Sequence, residues 1–291
     1  MPDLRALLER IALQFANSAS LDHESRQQAR RESRLLAAAV LDVAPGTLTR
    51  RLDMPLAASE VEHIQSAADR RTRGEPLAYA VGTAAFRHLV LQVDHRVLIP
   101  RPETEIVVET VLAVTAARRG GLAVDIGTGS GAIALALASE GHFDEVWGTD
   151  VSSDALSVAE SNRQCLAATA SPVTFACGAD FAPMPMRRAR VIVSNPPYIA
   201  FDEAAALPAS VRDWEPSVAL FAGEQGMARY DVLLAGAPGH LEANGWVVLE
   251  VDSRRSDATA RLAIAYGYVD VRLVKDLSNR DRVLVARHTT A

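Results

Sequence analysis

Apolar and polar positions change rhythm twice along the 291 residues. Up to about residue 75 the spacing is helical. "RESRLLAAAVLDV" sets Leu35, Leu36, Ala39 and Val40 at helical intervals, and "SEVEHIQSAADRR" does the same with Val61, Ile64, Ala67 and Ala68. Ser59 stands where a cap would open the second of these helices. Residues 1–75 are therefore expected to form a small all-α domain, with no strand. Residues 76–100 alternate and are rich in Val and Leu, as in "FRHLVLQVDHRVLIP". That pattern predicts a β-hairpin joining two domains.

From 101 to 291 strands and helices take turns. Strands are expected at 122–126, 145–149, 173–176, 190–194, 246–251, 269–274 and 283–286, and helices at 104–117, 131–139, 152–168, 227–242 and 254–266. This order implies an α/β domain: a seven-stranded, mostly parallel sheet with helices on both faces. Only "KDLSNRD" separates the last two strands, a gap that suits an antiparallel hairpin.

Two stretches carry chemistry. "DIGTGSGAIALALA" follows the first strand of the α/β domain, with Gly127, Gly129 and Gly131 at the strand-to-helix turn. Glycine permits the tight turn and close approach of a ligand. The turn has no Lys-Ser/Thr and lacks the G-x-G-x-x-G spacing, so it fits neither a P-loop nor a dinucleotide site. Asp125 before it disfavours a pyrophosphate and suits a cationic ligand, such as the sulfonium and ammonium of S-adenosylmethionine. Asp150 closes the next strand, where an acid can accept hydrogen bonds from ribose hydroxyls. Asp180 and Phe181 follow the third strand, where an adenine edge and face would lie.

The second stretch is "VSNPPYIA", a buried strand that runs into Asn195, Pro196, Pro197 and Tyr198. Neither proline can donate to a sheet ladder. The Asn195 side-chain oxygen and the Pro196 carbonyl are two acceptors suited to the two hydrogens of a planar amino group. Holding both orients a nitrogen whose lone pair is delocalised and favours its pyramidal form. Tyr198 offers a flat face.

Composition narrows the field. The net charge of −6 argues against a phosphate-tracking nucleic-acid protein. No apolar run approaches the ~20 residues of a membrane span, and "MPDLRALLER" is too charged for a signal peptide. The seven histidines show no ligand spacing, and no metal is expected. Cys165 and Cys177 form no framework; they are expected to be reduced, buried small side chains in a cytoplasmic protein. Trp214 and Trp246 are expected in the core or at a junction.

These motifs sit among others: "RRTRGEPLAYAVG" (70–82), "VLIPRPETE" (97–105), "WEPSVALFAGEQGMARY" (214–230), "VLE" (248–250) and "VKDLSNRDRVLVA" (274–286). Together, over residues 30–288, the chain resembles the release factor glutamine N5-methyltransferases of the HemK/PrmC type. The resemblance implies a class I, Rossmann-like methyltransferase domain behind a helical substrate-docking domain. It implies S-adenosylmethionine as donor and the glutamine of the Gly-Gly-Gln loop of peptide chain release factors as acceptor. By motif, Asp125, Gly127, Thr128, Gly129, Ser130, Gly131, Asp150, Asp180, Phe181 and Asn195 would contact the cofactor. Asn195, Pro196, Pro197 and Tyr198 would hold the glutamine. Arg101, Glu103 and Glu105 would either shape the site or form ion pairs. The enzyme is expected to act as a monomer, without nucleic acid or membrane. The alternatives are a ribosomal-protein glutamine or a nucleic-acid adenine as acceptor. After Glu250 the family usually has glycine then glutamine, whereas this chain has "VDSRRS"; Asn279 and His88 also stand where glycine is usual.

Overall fold

The computed structural model describes residues 3–53, 55–166 and 169–289. The chain divides into two compact units, Met1–Thr83 with Ala205–Glu215, and Ala84–Ala204 with Pro216–Ala291.

The first unit is helical. Its α-helices before Thr83 are α1 (Leu4–Ala16), α2 (His23–Gln27), α3 (Ala29–Val40), α4 (Pro45–Leu48), α5 (Ala58–Thr72) and α6 (Leu77–Val81), and a further turn of helix spans Ala209–Arg212. Asp3 and Asp22 cap α1 and α2, accepting the Ala6 N–H at 2.8 Å and the Ser25 N–H at 2.7 Å. Ser59 does not cap α5. The helix begins one residue earlier, and the Glu60 carboxylate accepts the Ala57 N–H at 2.8 Å instead. The core joins Leu7, Ile11 and Phe15 of α1 to Leu36 and Ala37 of α3 and Ile64 and Ala68 of α5. The buried residues of α3 are Ala29, Ser33, Leu36, Ala37 and Ala38, whereas Ala39, expected inside, faces solvent. Buried Arg71 ties this unit together, donating to Glu32 at 2.8 Å and to Ser25 Oγ at 2.6 Å.

The second unit opens with a two-stranded sheet, β1 (Thr83–Phe86) and β2 (Leu89–Gln92). Seven further strands build one sheet: β3 (Leu122–Ile126), β4 (Glu145–Asp150), β5 (Val173–Cys177), β6 (Ala189–Ser194), β7 (Leu241–Glu250), β8 (Val269–Lys275) and β9 (Asp281–Arg287). Their order is β5-β4-β3-β6-β7-β9-β8. Pairings from β5 to β7 are parallel, and β9 is antiparallel to both its neighbours. Its helices are α7 (Thr104–Thr115), α8 (Ala132–Glu140), α9 (Ser153–Cys165), α10 (Ser217–Leu220), α11 (Ala228–Gly236) and α12 (Ser256–Ala265). Positions 167–168, the end of the helix expected over 152–168, lie outside the described residues.

Period-2 alternation splits the core between the two sheet faces. Ala123, Val191, Val193 and Val248 pack against α7 and α8, whereas Leu122, Val124, Ile192 and Val247 pack against Tyr230, Leu233 and Leu234 of α11. The helix expected over 227–242 is cut short. It ends at Gly236, a 3-10 turn carries Pro238, and β7 already begins at Leu241. Both cysteines are exposed, not buried. Cys165 closes α9, and Cys177 closes the edge strand β5, so neither position is covered by a second layer.

Candidate active site

Between β4 and β6, the central strand β3 is where the chain changes direction across the sheet. Connections leave β3 towards one side and β6 towards the other, so a crevice opens beyond the strand ends. A cavity of about 310 Å³ lies there.

Its first wall is the glycine turn. Gly127 and Gly129 line the cavity, at φ of +74° and +54°, and a Cβ at either would project into open space. The side chains between them point the other way. Thr128 and Ser130 are buried; Thr128 Oγ1 donates to Asp125 Oδ2 at 2.6 Å, and the Ser130 carbonyl accepts from Asn162 at 2.9 Å. Asp125 lies beneath the turn and outside the cavity wall. Its Oδ2 also accepts the Ala134 N–H at 3.2 Å, while Oδ1 has no partner. Burial, aided by nearby Asp150, pushes its carboxyl up to about 7. Gly131 serves packing, since a Cβ there would come within 3.1 Å of Leu135 and Phe175.

Asp150 forms the second wall. Its Oδ2 accepts the Gly129 N–H and its Oδ1 the Ser152 N–H, both at 2.9 Å, which fixes the carboxylate and leaves lone pairs towards the cavity. Thr149 beside it also borders the cavity, and its buried hydroxyl has no hydrogen-bond partner. Past β5, Asp180 reaches the cavity and pairs with Arg229 of α11. Phe181 does not join that wall; its ring stacks on His240 with centroids 4.8 Å apart.

Asn195 and Pro197 form the third wall. Pro196 is buried behind them, and Tyr198 packs against the α11 side of the core. Burial and the nearby Glu250 carboxylate push the Tyr198 phenol up to about 12. The segment then continues as extended chain: Ile199 donates to the Leu220 carbonyl at 3.1 Å and accepts from the Ala222 N–H at 2.8 Å. That pairing brings Val218 and Phe221 to the cavity. Asn195 Nδ2 donates to Thr104 Oγ1 at 3.1 Å, and Thr104 donates to Glu250 Oε2 at 2.6 Å.

Thr104, Glu250, Thr149 and Phe221 were not singled out in the sequence. Thr104, Phe221 and Glu250 do lie in the blocks 97–105, 214–230 and 248–250, but no site role was given to them. Glu105 has a structural partner: it accepts the Arg87 N–H at 2.9 Å in the turn between β1 and β2.

The donor set fits S-adenosylmethionine. Two glycines leave room beside the backbone, a fixed carboxylate stands at the end of β4, and the Thr149 hydroxyl is unsatisfied.

Residues 12–82 match the PrmC N-terminal domain and residues 103–208 the methyltransferase small domain. A release factor glutamine methyltransferase of Cereibacter sphaeroides is 37% identical over 284 residues, covering 98% of this chain and 96% of its own. One from Xylella fastidiosa strain Temecula1 is 40% identical over 235 residues, 81% of this chain and 84% of its own. Among solved structures, a methyltransferase from Pyrococcus furiosus shares the fold, with a TM-score of 0.54 at 19% identity over 80% of this chain and all (100%) of its own.

Proposed function

Because the chain belongs to the release factor glutamine methyltransferases, we propose that it methylates the side-chain amide nitrogen (N5) of the glutamine in the Gly-Gly-Gln loop of peptide chain release factors, with S-adenosylmethionine as donor. The observation that carries the site assignment is the meeting of the glycine turn, Asp150 and Asn195 in one cavity.

S-adenosylmethionine supplies an electrophilic methyl on a sulfonium. In the proposed site, Gly127 and Gly129 give it room and the Asp150 carboxylate accepts from its ribose hydroxyls. The Asn195 oxygen and the Pro196 carbonyl accept the two N–H bonds of the substrate amide. These placed dipoles orient the nitrogen and stabilise the positive charge it would gain as the methyl passes from sulfur, leaving S-adenosylhomocysteine; the nitrogen, acidic once methylation begins, then gives up one N–H proton. Pro196 and Pro197 hold the acceptors in place, because their φ angles are fixed. Tyr198 contributes a flat face and remains a neutral phenol at physiological pH.

The proposal extends to the domains. Residues 1–75 dock the protein substrate, 76–100 link, and 101–291 hold the chemistry. It also extends to a monomer working in the cytoplasm. Among the described residues no helix is long and apolar enough to cross a membrane. A cofactor-binding variant lacking residues 1–75 that methylates an intact release factor as fast as the full chain would remove the docking role.

The direct test is transfer of labelled methyl from S-adenosylmethionine to a purified release factor, beside a Gln→Ala variant of its Gly-Gly-Gln loop. Label on the intact factor alone is expected. Label on both would move the acceptor elsewhere, and label on neither would remove release factors as substrates.

A further inference from the structure

The Asn195 amide has two ends, and only one of them places an acceptor in the cavity. Thr104, the first residue of α7, and Glu250, the last of β7, are both buried. Thr104 Oγ1 lies 2.6 Å from Glu250 Oε2 and 3.1 Å from Asn195 Nδ2. A hydroxyl has one hydrogen to give, and an ionised carboxylate only accepts. The hydrogen of Thr104 therefore goes to Glu250, and what Thr104 offers Asn195 is a lone pair. Only the NH₂ end of an amide can answer a lone pair. The oxygen of Asn195 is left for the cavity that this residue lines.

We infer that Thr104 and Glu250 are positioning residues, which turn the Asn195 amide so that its oxygen faces the substrate nitrogen, with the charge on Glu250 setting the direction of the whole chain of bonds. The inference rests on the function proposed above. It also makes the orientation reversible. A protonated Glu250 donates to Thr104 and frees the Thr104 hydrogen for Asn195. The amide then turns over and meets the substrate N–H with its own N–H.

The surroundings place that switch in an accessible range. Arg101 and Glu103 face Glu250 from the segment before α7, Tyr198 from the segment after β6, Tyr230 from α11 and Arg282 from β9. Burial outweighs the two arginines and pushes the Glu250 carboxyl up to about 7.

The test compares the full-length wild type with Thr104→Ser, Thr104→Val and Glu250→Gln. Methylation of a purified release factor is followed from about pH 5.5 to 9, across the range where Glu250 titrates, and S-adenosylmethionine binding is measured separately by calorimetry. Thr104→Val is expected to lower kcat by roughly tenfold to a hundredfold, the scale of a misplaced reacting group, with cofactor affinity unchanged. Thr104→Ser, which keeps the hydroxyl, is expected to restore most of the rate. Wild-type kcat is expected to fall on the acid side of Glu250, and that limb is expected to vanish in Glu250→Gln. Three results overturn the inference: full kcat in Thr104→Val, a Thr104→Ser enzyme as slow as Thr104→Val, or an acid limb kept in Glu250→Gln. Should Thr104→Val fail to bind cofactor, the serine variant and the pH limb still decide. A wild type that does not methylate the release factor would fault the proposed function instead.

Discussion

Asp150 Oδ2 accepts the backbone N–H of Gly129 at 2.9 Å, so the acid that ends β4 also fixes the turn that ends β3. The two parts of the proposed cofactor site are thus mechanically one. Asp150→Ala removes an acceptor and releases the turn together. A loss of at least about tenfold in S-adenosylmethionine affinity is expected, the scale of a charge-assisted hydrogen bond. Calorimetric titration of a variant with unchanged circular dichroism checks it; affinity within twofold of wild type would show that Asp150 does not hold the donor.

Tyr198 makes a different claim. With its phenol held up to about 12 by burial and by Glu250, it cannot act as a base near neutrality. Tyr198→Phe is expected to keep kcat within a few-fold and to leave the alkaline side of the pH profile unmoved. Tyr198→Ala, which deletes the face, is expected to cost much more. A steep loss in the phenylalanine variant would assign chemistry to the hydroxyl.

Arg255 joins three strands of chain near the segment that follows Tyr198. It pairs with Glu203 at 2.8 Å, pairs with Asp252, and donates to the Gln225 carbonyl at 2.6 Å. Its side chain is 12% exposed and that of Asp252 10%, so removing it empties the inner cation position and leaves both carboxylates only the more exposed Arg254. Arg255→Ala is expected to destabilise the protein by about 2 kcal/mol, between an exposed and a buried pair. Neighbouring Arg254, 64% exposed, pairs with the same two acids, and its removal is expected to cost less than about 1 kcal/mol. Thermal melts rank the two; equal losses would contradict the burial argument.

The buried carboxyls Asp125 and Glu250 set a pH dependence of stability. Both are pushed up to about 7, from 3.8 and 4.5. Between those limits the folded state holds protons that the unfolded state has released, so stability falls as pH rises through the window. Glu250→Gln removes one share of that slope. Its melting temperature relative to wild type is expected to climb between pH 5 and 8, by up to roughly 3 kcal/mol of stability. A constant difference across that range would mean that Glu250 titrates normally.

Much of this was legible in the residues. The central strands read clearly because burial on both faces gives each a short apolar run, Leu122–Val124 and Val191–Val193: the bounds of 122–126 coincide with β3, and 190–194 misses only Ala189 of β6. β7 was half hidden. Its first five residues, "LEANG", have poor strand propensity, and β6 imposes the structure by pairing Ala189 with Leu241. Ser59 was the better cap by residue type, but the glutamate that follows it reaches back to Ala57. At the site, Gly127, Gly129, Asp150, Asp180, Asn195 and Pro197, expected from residue type at the strand ends and from the family motifs, do line the cavity. Thr104 and Glu250 were not, since 146 residues separate them and only the sheet brings them to 2.6 Å.

The change of direction at β3 has a consequence for how such an enzyme diversifies. In the proposed site, donor-side groups hang from β3, β4 and β5, and acceptor-side groups from β6 and from the chain that precedes β7. The two sets meet along the β3–β6 pairing, where Ser194 Oγ bonds the Ile126 carbonyl at 2.6 Å, and again where Asp180 pairs with Arg229. Loops on the acceptor side can be lengthened, shortened or exchanged without reshaping the donor pocket. One inherited half keeps the reagent while the other is free to adapt to a new client.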